Sequence, residues 1–64
     1  MKINVKKLNL YQAEKCLTNK ELKEESGVGL LTITMIKNGK RNANPKTVGK
    51  IAKALGINVS DLLE

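Results

Sequence analysis

The chain has 64 residues, 12 basic and six acidic, and a net charge of +6. A chain this short buries only about 60% of the surface its unfolded form exposes, so residues 1–64 make one domain with no room for a large catalytic cavity. It has no histidine, no Phe or Trp, one tyrosine and one cysteine, Cys16; this excludes the usual general base, a zinc cluster and an internal disulfide, and leaves an aliphatic core.

The first helix is capped by Asn4 and runs to about Cys16, with Val5, Leu8 and Tyr11 on an inward i, i+3 stripe. Leu10 falls off that stripe, either beside Ala13 or exposed. Cys16 itself reads as a helix-end packing residue. Thr18 caps the second helix, and Glu21 stands three residues later at capping-box spacing. Leu22 is its inward anchor. Ser26-Gly27 ends it, because Gly27 can take the left-handed conformation that reverses the chain.

Val28 plugs the turn, and a third helix spans residues 30–38, with Ile33 and Ile36 facing the core. Thr32, Ile33, Thr34 and Ile36 are β-branched, so tertiary packing must hold this helix. Asn38-Gly39 ends it. Asn44 caps a fourth helix with Pro45 at its first position. Val48, Ile51, Ala52 and Leu55 form its apolar face, and Gly56 closes it. Asn58 caps a last short helix, Val59–Leu63, with Asp61 near the positive end of its dipole. Only Lys2–Lys7 alternates in the manner of a strand. The expected fold is all-α, a compact five-helix bundle.

Within it, residues 18–38 form two short helices joined at a glycine turn. That arrangement can carry its second helix off the protein surface and into a DNA major groove. The charge agrees. Between Ser26 and Ser60 lie Lys37, Lys40, Arg41, Lys46, Lys50 and Lys53 with no acidic residue, while the remainder of the chain is neutral in sum. A field of one sign attracts polyanions.

Across some 50 residues the order and spacing of these pieces resemble the helix-turn-helix domain of phage repressors, Cro proteins and related small bacterial regulators. Leu17-Thr18, Leu22 and Gly27-Val28 resemble its second helix and turn. Ile33 and Ile36 resemble its recognition helix, Asn38-Gly39-Lys40-Arg41 the loop after it, Pro45 and Ile51–Ile57 the fourth helix, and Asp61-Leu62-Leu63 the fifth. The resemblance implies double-stranded DNA as partner and a transcriptional regulator, in the manner of a repressor, from a phage or other mobile element. It implies a phosphate contact at Asn19. Gly29, Leu30, Leu31, Thr32, Thr34 and Met35 would lie on the groove-facing side, and Lys37, Asn38, Lys40 and Arg41 on the backbone, within a basic loop 37–46. It also implies a homodimer, for which Ile57, Val59, Leu62 and Leu63 offer apolar surface.

The chain departs from the family's pattern in four ways. Lys23 stands where Ala is usual at a close helix crossing. Gln12 and Lys37 replace an Arg and a Glu that often pair, so that ion pair is absent. Gly29 replaces a Ser or Thr cap, a loss of a few tenths of a kcal/mol. Leu30, Leu31 and Met35 replace the polar residues that normally read base edges. That last departure keeps a second reading open: a protein-interaction module, antitoxin-like or regulator-binding, that uses Leu30, Leu31 and Met35 as its contact surface.

No enzyme activity, metal, cofactor or small-molecule ligand is expected. No apolar run approaches the ~20 residues needed to cross a bilayer. Met1–Val5 has no signal-peptide apolar region, so the expected location is the cytoplasm.

Overall fold

Four of the five helices start at a polar cap, the third at Gly29, and each ends where the backbone turns left-handed or extended. A computed structural model of the chain describes residues 1–40 and 42–64. The elements are α1 (Val5–Glu14), α2 (Asn19–Ser26), α3 (Leu30–Lys37), α4 (Pro45–Leu55) and α5 (Val59–Leu62). Asn4 Oδ1 accepts from the Lys7 amide at 3.1 Å, and Asn44 Oδ1 from the Thr47 amide at 2.8 Å. Thr18 and Glu21 form both halves of the expected capping box, at 3.1 and 3.0 Å. Asp61 Oδ2 accepts from the Asn58 amide at 3.3 Å. Such a cap contributes about 1 kcal/mol to a helix that is marginal alone.

The helices close around Leu8, Leu22, Ile33, Val48, Ile51, Leu55 and Leu62, all fully buried. Here α2 packs on α3 and α4, α4 on α5, and α5 on α1. Leu22 is central to the α2 contacts, so its truncation to Ala would cost about 2–5 kcal/mol. The four residues expected on the inner face of α4 are all buried. Leu10 is 59% exposed, which settles its two possible placements.

Helix ends differ from the sequence expectation at three places. α1 stops at Glu14 because Cys16 adopts φ 56°. The Cys16 amide donates to Ala13 O at 3.0 Å and the Leu17 amide to Gln12 O at 3.1 Å, the paired bonds of a Schellman closure. Cys16 is therefore a left-handed cap with an exposed side chain, not the packing residue expected. α3 ends at Lys37, with Asn38 as its cap. α5 ends at Leu62, because Leu63 is extended and pairs antiparallel with Ile3.

That pairing belongs to a clasp formed by the segment before α1. The Asn4 amide donates to Leu62 O at 2.9 Å, and the Ala43 amide to Met1 O at 3.0 Å. Ile3 and Ala43 are both buried by it. The N-terminal segment thus holds the C-terminal helix on one side and the loop after α3 on the other.

Candidate nucleic-acid interface

The turn between α2 and α3 fixes the attitude of α3. Gly27 has φ 75°, where a side chain would be strained, and its amide donates to Lys23 O at 2.9 Å. Val28 follows, only 6% exposed, with its amide held by Ser26 Oγ at 3.1 Å. Lys23 is exposed, so the close approach of α2 and α3 does not confine its side chain.

Ile33 and Ile36 anchor α3 in the core, at 0% and 3% exposure. Opposite them lies Leu31, at 73%. Thr34 and Met35 flank Leu31 on the same face by helical spacing. Thr34 is exposed and Met35 half-buried, which narrows the expected apolar surface of Leu30, Leu31 and Met35 mainly to Leu31 and a part-covered Leu30. Thr34 Oγ1 donates to Leu30 O at 2.9 Å, so its proton is committed within the helix. Its outward lone pairs can only accept. Thr32 is half-buried. Gly29 occupies the N-cap with no side-chain bond, as its departure from the family pattern implies.

At the other end of α3 three polar side chains meet. Lys37 Nζ donates to Gln12 Oε1 at 2.5 Å and to Asn19 Oδ1 at 2.8 Å. Gln12 Nε2 donates to Asn19 Oδ1 at 3.0 Å and to Leu17 O at 2.9 Å. An ammonium only donates, so it fixes which end of each carboxamide faces it. Gln12 is the one buried polar residue among the described residues, and every buried side-chain N and O atom among them has a partner. Burial holds the Lys37 ammonium below the ordinary lysine pKa. The ion pair of the family pattern is absent, as expected, and a charge-to-carboxamide network stands in its place. Lys37, expected on the DNA backbone, is turned inward by it.

Asn38 and Lys40 are exposed on the loop after α3. Arg41 lies outside the described residues. Lys46, Lys50 and Lys53 are exposed along the outer face of α4 at i, i+4 and i+7. Lys50 and Lys53 also line a shallow groove with Glu25, Ser26 and Ala54. Among the described residues the basic side chains of this region thus lie on the loop after α3 and along one face of α4.

Of the residues expected at a homodimer surface, Leu62 is corrected. It is 0% exposed and belongs to the core beneath α5, where its removal from water is complete. Ile57, Val59 and Leu63 pack partly against that core and keep some surface. Among the described residues no group of three potential metal ligands comes together, and no helix is long and apolar enough to cross a membrane.

Sequence reasoning did not foresee the role of Gln12. Its position one residue after Tyr11, on the buried side of α1, carried the signal: a polar group there requires a buried partner.

Comparison with known proteins agrees with the geometry. A family profile described as helix-turn-helix matches residues 9–62. The chain is 38% identical over 56 residues to an uncharacterized helix-turn-helix-type transcriptional regulator of Methanocaldococcus jannaschii, covering 88% of this chain and 85% of that protein. No solved structure matches.

Proposed function

Because the chain belongs to the helix-turn-helix family of the phage-repressor and Cro type, we propose that it binds double-stranded DNA as a transcriptional regulator, with α3 in the major groove. The observation that carries this reading is the outward side of α3, where Leu31 and Thr34 stand exposed beside the half-buried Met35, opposite the core anchors Ile33 and Ile36 and followed by the exposed Asn38 and Lys40. Bound at a promoter, it would act as a repressor. A homodimer on paired half-sites would use Ile57, Val59 and Leu63. The description of the Methanocaldococcus jannaschii relative as a transcriptional regulator supports the regulatory reading.

The chemistry of that face favours A·T pairs. Leu31 and Met35 offer apolar contact to thymine methyl groups, and Thr34 can accept a hydrogen bond from an adenine or cytosine amino group. Against this donor-poor surface the O6 and N7 acceptors of guanine would lose water and gain no partner. DNA shape and phosphate contacts from Lys40, Arg41 and Lys46 would supply the rest of the affinity.

The 73% exposure of Leu31 also favours the protein-interaction reading. One experiment separates the two. The protein is titrated against mixed genomic duplex DNA at two salt concentrations. The DNA reading expects binding at low salt that weakens steeply with added salt, and a flatter slope for Lys40→Ala plus Arg41→Ala. Absence of salt-sensitive binding, together with loss of a protein complex on Leu31→Ala, would select the interaction module.

A further inference from the structure

We infer that Lys37 is a positioning residue for Asn19 and not a phosphate ligand, and that Gln12 is the buried support through which both are held. The inference rests on the DNA-binding reading above and assigns a division of labour within that site.

Asn19 is the first residue of α2, and its side chain is exposed. Its Oδ1 accepts two hydrogen bonds, from Lys37 Nζ at 2.8 Å and Gln12 Nε2 at 3.0 Å. Both donors lie on the protein side. The carboxamide is planar, so with its oxygen drawn inward the Nδ2 amino group is turned the other way. Nδ2 makes no hydrogen bond among the described residues. It can therefore give two N–H donors to a phosphate oxygen at the mouth of α2.

The reverse orientation is blocked by chemistry. Turned over, Asn19 would bring its amino group against an ammonium and another carboxamide N–H, three donors with no acceptor between them. Gln12 is fixed in the same way: its amino end is held by Leu17 O and its oxygen faces Lys37. A residue 6% exposed with both ends satisfied has little freedom to turn. Preorganising one neutral donor pair lowers the side-chain entropy lost when DNA binds. It also takes the Lys37 charge out of direct contact with the phosphate backbone.

The two roles for Lys37 differ in salt dependence. A lysine that neutralises a phosphate contributes about 0.9 to the slope of log affinity against log salt. A lysine that only orients a neutral amide contributes much less. Duplex binding is measured at several salt concentrations for the unaltered chain, Lys37→Met, Asn19→Ala and the double variant. The inference expects each single variant to weaken binding about five- to tenfold, as loss of one hydrogen bond implies. It expects the double variant to be no weaker than either single, and the slope to stay within about 0.3 of the original. A slope lowered by about 0.9, with additive losses in the double variant, would overturn it and make Lys37 a phosphate ligand. If the unaltered chain shows no salt-sensitive binding, the DNA reading fails and takes this inference with it, so the two failures are distinct. Should Lys37→Met not fold, relaxation of the Asn19 side-chain 15N in the unaltered protein decides. A rigid amino group supports the inference, and one as mobile as that of the exposed Asn42 overturns it.

Discussion

The Lys37 ammonium on α3 donates to Gln12 Oε1 on α1 at 2.5 Å, joining residues 25 apart in sequence. Neither partner is satisfactory alone. Gln12→Leu should leave the half-buried ammonium short of an acceptor and Leu17 O short of a donor, and cost about 1–3 kcal/mol in urea unfolding. Adding Lys37→Met should recover most of that loss, because the unpaired charge goes with it. Equal and additive losses would show that the two side chains are not coupled.

The same lysine gives a signature at alkaline pH. Its folded pKa lies below the ordinary 10.5 because burial disfavours the charged form. The unfolded chain therefore holds this proton more tightly, and stability should rise as pH climbs through the folded value towards 10.5. A stability profile over this range should lose that rise in Lys37→Met.

At acid pH the capping box of α2 sets the expectation. Glu21 accepts from the Thr18 amide, and this bond holds its pKa below 4.5. The contribution is complete above the unfolded value and is lost as pH falls through the lower folded one. Thermal unfolding between pH 3 and 5 should therefore depend less on pH in Glu21→Gln, which keeps the bond without the charge. An unchanged profile would place the acid sensitivity elsewhere.

Cys16 holds φ 56° with its side chain in solvent. Gly reaches that conformation without the steric penalty, though it also loses more entropy on folding. Cys16→Gly should stabilise the protein by about 0.5–1 kcal/mol. Destabilisation on urea unfolding would show that the thiol makes a contact the exposed geometry does not provide.

Local chemistry made most of the fold legible. Thr18 with Glu21, Gly27, and Asn44 with Pro45 each mark a helix end within four residues of sequence. The inner faces of α3 and α4 followed from helical spacing. What escaped depended on distant backbone. Nothing in Lys2–Lys7 says that Ile3 pairs with Leu63, or that Ala43 bonds to Met1. Leu62 and Leu63 are adjacent and equally apolar, so only the end of α5 decides which of them is core. At the candidate site, the resemblance flagged Gln12 and Lys37 as a missing ion pair. The inward turn of the lysine came from three-dimensional placement of Asn19, which spacing along the chain does not encode.

Selection of binding sites from a random duplex DNA pool tests the central claim most directly. The account predicts enrichment of half-sites related by two-fold symmetry, with A·T pairs where the Leu31–Thr34–Met35 face meets the groove and guanine depleted there. A selected pool no different from the starting pool, at a salt concentration where the protein still binds DNA, would contradict it.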